Sequence, residues 1–141
     1  PKEYDGRKNE IAFKEYIDDK KDISWWFKNG DQGKEYFAIR YYNTVDQKDA
    51  LFYPDWIIRF NDGRIGIFDT KDGKTATDQE TKDKAEALSQ RLPKLGKKYV
   101  GGIAVFENGI WYFNQGKKYQ YVQGKSVNED KNWQRFETLF E

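Results

Sequence analysis

Two apolar runs, residues 51–60 and 64–71, separated by Asn61-Asp62-Gly63, constrain this chain more than any other segment. Asn, Asp and Gly are turn formers, and two strand-like runs across such a turn make a β-hairpin. Side chains on a strand alternate between faces, so Ile57, Ile65 and Ile67 share one face and Trp56, Ile58, Phe60 and Phe68 the other. Bulky residues on both faces predict a sheet covered on both sides by helices. Any charge on these strands therefore needs a reason.

The flanking segments supply those helices. Asp5 is placed to cap a first helix over residues 5–20, in which Phe13, Tyr16 and Ile17 recur at helical spacing. A second, over residues 77–92, carries Thr81, Ala85, Leu88 and Leu92 on one stripe and is expected to end at Pro93 and Gly96. Residues 35–42 read as a strand, and residues 99–106 and 110–113 as a second hairpin around Glu107-Asn108-Gly109. An extra strand at 119–122 and a short helix at 133–140 close the chain. The order is α-β-β-β-α-β-β, an α/β fold with a mixed sheet flanked by helices. With 141 residues and no repeat or linker, we expect one domain over 1–141.

Composition narrows the chemistry. The chain has no Cys and no His, which removes disulfides, thiol nucleophiles, zinc ribbons, histidine-ligated metals and a Ser-His-Asp relay. Catalysis near neutral pH falls to Asp, Glu, Lys, Arg, Tyr, Ser or Thr, with a hard, oxygen-liganded cation as the natural helper. Aromatic residues make up 18% of the chain, so large rings must build the core. Lys plus Arg number 25 against 24 Asp plus Glu, which leaves no global field to draw the domain onto nucleic acid or membrane. No apolar run is long enough for a membrane span or signal peptide, so we expect a cytoplasmic protein with no membrane partner. The chain opens on Pro1 and has no Met, and we expect it to be a fragment of a larger polypeptide.

Asp69 and Lys71 end the second hairpin strand on the face of Ile65 and Ile67. Whether Asp55 joins them depends on register, because a one-residue slip reverses its face. A two-residue loop would set Asp55 opposite Thr70. A three-residue loop, with Gly63 left-handed, sets Asp55 opposite Asp69 and Ile57 opposite Ile67, pairing carboxylate with carboxylate and apolar with apolar. Facing carboxylates repel unless a cation lies between them. Lys71 can orient or help deprotonate a water and stabilise charge developing on a phosphate. On the first helix Glu10 shares the Phe13 face while Glu15 lies off it, so Glu10 is the candidate third acid. The acid-x-Lys spacing alone means little, since it recurs at Asp18, Asp19, Asp46, Asp72, Glu80 and Glu129. The competing reading makes Asp55 a strand-entry residue and Asp69 and Lys71 a solvated pair.

Pro54-Asp55 followed by Asp69-Thr70-Lys71, between an acidic helix and a helix-strand unit, resembles the PD-(D/E)xK nuclease superfamily. The stretch 25–114, with Tyr-Pro-Asp-Trp-Ile-Ile-Arg-Phe and Gly-Arg-Ile-Gly-Ile-Phe-Asp-Thr-Lys, is similar to the C-terminal nuclease domain of type III restriction-like helicase subunits. The resemblance implies a restriction-endonuclease-like α-β-β-β-α-β core and Mg²⁺-dependent cleavage of double-stranded DNA, with Mn²⁺ able to substitute. By that pattern Asp55 and Asp69 are metal ligands, the Thr70 carbonyl a third and Lys71 the catalytic lysine, while Glu10 matches the helix-one acid by placement. The family also implies an ATP-dependent helicase motor in the same parent polypeptide, and a modification subunit as a further partner. No Gly-x-x-x-x-Gly-Lys-Ser/Thr loop occurs, so ATP hydrolysis is expected elsewhere in that parent.

Residues 82–98 hold six cations against Asp83 and Glu86, and Lys117, Lys118 and Lys125 add a second basic segment. Lys82, Lys84 and Arg91 are the candidate contacts to DNA phosphates, against the ordinary reading of a solvated helix face. Trp25, Trp26, Trp111, Tyr112 and Trp133 could stack on bases but serve better as core filler. They also raise a glycan-binding module, in which paired carboxylates have no role.

Overall fold

The computed structural model describes residues 4–29, 37–122, 126–127 and 130–140. In chain order the elements are helix α1 (Tyr4–Asp18) and strands β1 (Ile23–Lys28), β2 (Ile39–Asn43), β3 (Lys48–Phe52), β4 (Trp56–Phe60) and β5 (Ile65–Thr70). Helix α2 (Gln79–Leu95) and strands β6 (Tyr99–Glu107), β7 (Ile110–Asn114) and β8 (Trp133–Arg135) follow. Short 3₁₀ turns lie at Thr75–Thr77 and Phe136–Phe140.

The β4–β5 turn closes as the three-residue loop. Gly63 takes φ +95°, its N–H donates to the Phe60 carbonyl, and Ile57 pairs with Ile67 and Trp56 with Phe68. Around this hairpin a six-stranded sheet forms in the order β1-β4-β5-β6-β7-β8. Neighbours run antiparallel except β5 and β6, which are parallel and joined through α2.

Both faces of the sheet are covered, as the alternation demands. On one, Trp56, Ile58, Phe60 and Phe68 meet Phe13 and Ile17 of α1 and Phe136 and Leu139 of the last turn. Phe13 is the hub, with ring centroids 5.3 Å from Trp56, 5.0 Å from Trp111 and 5.4 Å from Phe136. On the other, Ile57 and Ile67 pack against Leu88 and Leu92 of α2 and Ile39, Tyr41 and Phe52 of the two-stranded β2–β3 sheet. Trp111, Tyr112 and Trp133 are buried, so they act as core rather than base-stacking groups.

Several expectations change. The strand expected over 51–60 breaks at Tyr53-Pro54-Asp55, because proline cannot donate to a ladder. Its first part pairs with β2 in the separate sheet, and β1, which the sequence reading does not include among the strands, takes the edge beside β4. Residues 35 and 36 of the expected first strand lie outside the described residues, as does Lys125. Asp5 falls inside α1 rather than ahead of it. Pro93 does not end α2; it sits in the last turn, and the helix stops at Gly96, whose N–H donates to the Leu92 carbonyl. Residues 119–122 form no strand: Tyr119 is buried, its hydroxyl donating to the Ala76 carbonyl at 2.7 Å. Residues 133–135 pair with β7 instead of opening a helix, since Trp133 fills the core beneath Tyr119 and Tyr121.

Candidate active site

The break at Pro54 builds the site. Pro54 is buried, and Asn29, just past β1, clamps the bend from below: its Nδ2 donates to the Pro54 carbonyl at 2.9 Å and to the Phe37 carbonyl at 2.7 Å. The Asn29 backbone N–H donates to the Asp55 carbonyl at 2.6 Å, and its Oδ1 accepts from the Phe37 N–H at 3.2 Å. Asp55 is thereby fixed one residue ahead of β4. In the register set by the Gly63 loop it meets the end of β5, where its N–H donates to Asp69 Oδ1 at 3.0 Å.

Asp69 is buried, and its Oδ2 lies 3.2 Å from Lys71 Nζ. Asp55, Asp69, Thr70 and Lys71 line one cleft of about 510 Å³, together with Glu10, Asp72 and Lys84. Burial and the neighbouring Asp69 charge push the Asp55 carboxyl up to about 8, helped by a hydrogen bond to Asp69 that only the protonated acid can make. Burial works against a charge on Lys71, yet the Asp69 carboxylate, with its hydrogen bond and support from Asp55, holds the amine above the ordinary lysine range. Lys71 is therefore a fixed ammonium, suited to stabilising negative charge rather than to taking a proton.

Lys28, at the end of β1, is a site residue that the sequence reading missed. Its Nζ lies 3.5 Å from Glu10 Oε1 and 3.6 Å from Asp55 Oδ1. Burial opposes its charge, and the Asp55 and Glu10 carboxylates raise it above the usual value. The rule that a charge on an apolar strand needs a reason would have found it, had residues 23–28 been read as a strand. Asn29 carries no comparable signal in the sequence. Glu10 faces the cleft as placed, and Glu15 is exposed, but Glu10 reaches Asp55 through the Lys28 ammonium.

No protein family, curated protein or solved structure compared with this chain matches it. The site must therefore be judged on its donors. Among the described residues no group of three or more His, Cys, Asp or Glu gathers to hold a metal. The pair Asp55 and Asp69 still fits a hard divalent cation: both are oxygen donors lining one cleft, and each carboxylate's charge repels the other without a cation.

The basic candidates separate. Lys84 lines the acid cleft, bridged to Glu80 at 3.1 Å and lying over the Phe52 ring. Lys82 is exposed outside it, and Arg91 lines a different groove beside β2. No helix among the described residues is long and apolar enough to cross a membrane.

Proposed function

We propose that this chain is a Mg²⁺-dependent DNA endonuclease domain of the PD-(D/E)xK kind, hydrolysing phosphodiester bonds within a restriction or defence polypeptide. The observation that carries the reading is the meeting of Asp55, Asp69 and Lys71 in one cleft at the ends of adjoining strands. Asp55, Asp69 and the Thr70 carbonyl would hold the cation, which supplies Lewis-acid polarisation of a phosphate and activation of water. Mn²⁺, with the same oxygen preference, would substitute. Lys71 supplies a fixed positive charge for the negative charge that builds up on the phosphate. Glu10 lines the cleft, and Lys28 ties it to Asp55. On this reading the six-stranded sheet and α1 form a restriction-endonuclease-like core, and the helicase motor and any modification subunit belong to the parent polypeptide and its complex. The test is plasmid DNA incubated with the protein and Mg²⁺ or Mn²⁺. Metal-dependent cleavage lost in Asp69→Ala and Lys71→Ala supports the assignment, and cleavage that survives both substitutions overturns it.

A second reading has a specific observation behind it. Each acid already has a lysine partner, Asp55 with Lys28 and Asp69 with Lys71, and no third carboxylate completes a cluster among the described residues. A scaffold so neutralised would bind or dock onto DNA without cutting it. Calorimetry separates the two: salt-sensitive DNA binding with no heat of Mg²⁺ or Mn²⁺ binding favours the noncatalytic module.

A further inference from the structure

A second groove, of about 390 Å³, runs between the outer side of α2 and the β2–β3 sheet. It is lined by Arg40 from β2, by Ala87, Gln90, Arg91 and Lys94 from α2, and by the apolar Ile39 and Leu51. Among the described residues no acidic side chain lines it. Arg40, Arg91 and Lys94 are all exposed, and among the described residues none of the three makes an ion pair. On a chain whose cations and anions nearly balance, three cations with neither an ion pair nor a lining acid among the described residues form a local positive field.

The groove adjoins the acid cleft, because Leu51 lines both. Along α2, Lys84, Ala87, Arg91 and Lys94 follow one another at three- and four-residue steps, so they share a face. The stripe begins at the acid cleft with Lys84 and runs about 15 Å at 1.5 Å per residue. That length matches about four nucleotide steps of a duplex strand at 3.4 Å each.

We propose that this groove is a track for the sugar-phosphate backbone of one strand of duplex DNA, leading it into the Asp55–Asp69 cleft. The proposal rests on the nuclease reading for its choice of DNA. Arg40, Arg91 and Lys94 contact phosphates and carry no base information; Leu51 and Ala87 give the sugars apolar contact. Lys82, outside the groove, takes no part.

The experiment measures binding of a labelled 20-base-pair DNA duplex by fluorescence anisotropy in EDTA, which stops cleavage, across a salt series. The full chain is compared with the triple variant Arg40→Gln, Arg91→Gln, Lys94→Gln and with a control, Lys82→Gln. Each lost phosphate contact lowers the slope of log K against log salt by about 1, so the triple variant should lose about 3 and the control well under 1. All three positions are exposed, and an unchanged thermal midpoint confirms folding. Unchanged affinity and slope in the triple variant overturn the track even where plasmid is cut. Absent duplex binding by the parent chain also overturns it, and metal-dependent plasmid cleavage then judges the nuclease reading separately. Tighter binding of an RNA duplex of the same sequence, lost in the same variant, overturns the assignment to DNA.

Discussion

The backbone N–H of Asp55 donates to the side chain of Asp69, 3.0 Å from its Oδ1, so the main chain of one acid holds the carboxylate of the other. This bond points one Asp69 oxygen at β4 and leaves Oδ2 for Lys71 and the cleft. The two acids are thus positioned by backbone, not by chance rotamers.

Loss of charge at either end of this arrangement should be read in turnover. With plasmid and Mg²⁺, Lys71→Ala is expected to lower the cleavage rate by about 10²–10³, the usual cost of removing one fixed stabiliser of developing charge. Lys71→Arg keeps the charge but not the amine's compact shape and should recover only part. Asp69→Ala should remove cleavage together with the heat of divalent-ion binding, whereas Lys71→Ala should leave that heat in place.

Asp55 gives the metal-free protein a pH dependence of opposite sign to that of most carboxylates. A carboxyl whose folded pKa stands above its ordinary value favours the folded state through its protonated form; that contribution is full below about pH 3.8 and lost as pH rises through about 8. The thermal midpoint measured in EDTA should therefore fall across this window, and Asp55→Asn should flatten the fall. A cation held by the pair would bind its ionised form, so on the nuclease reading Mg²⁺ should raise the midpoint more above about pH 8 than at about pH 6. A Mg²⁺ effect independent of pH would exclude Asp55 as a ligand.

How far the site was legible follows from sequence distance. The β4–β5 register could be read because turn and strands lie together: Gly63 allows the three-residue loop, and Ile57 and Ile67 must share a face. The Glu10 side of α1 was legible by the same periodicity. β1 was not, since its partner β4 lies far along the chain, and Trp25 and Trp26 suit a loop-filling role as well as a strand. With β1 unseen, Lys28 and Asn29 had no place in the site. Pro54 marked an irregularity, but nothing local says that the residues before it leave the main sheet for β2.

Asn29 is a positioning residue, and its removal should show in two measurements. Its buried amide satisfies the Pro54 and Phe37 carbonyls, so Asn29→Ala leaves acceptors without a donor and should cost about 1–3 kcal/mol in urea unfolding. Because the same side chain fixes the bend that carries Asp55, divalent-ion affinity should fall as well, at a temperature where the variant is fully folded. Asn29→Asp retains the acceptor for the Phe37 N–H but loses both amide donations, and should resemble the alanine variant. Wild-type ion affinity in a folded Asn29→Ala protein would separate the clamp from the site.

The close approach of β5 and β6 sets where Asp69 ends up, and glycine makes that approach possible. A Cβ on Gly101 would lie 1.9 Å from the Ile67 carbonyl oxygen, two residues before Asp69, at a φ of +154°. Backbone cannot yield as a flexible side chain can, so Gly101→Ala should force the parallel pair apart and cost about 3 kcal/mol or more. Gly109, in the β6–β7 turn, has φ +79° and nothing within 4 Å of an added Cβ. Gly109→Ala should therefore cost only the left-handed penalty, about 1–2 kcal/mol. Urea denaturation of the two variants measures the difference, and equal costs would mean that backbone conformation, not the contact between Gly101 and Ile67, governs this pair of strands.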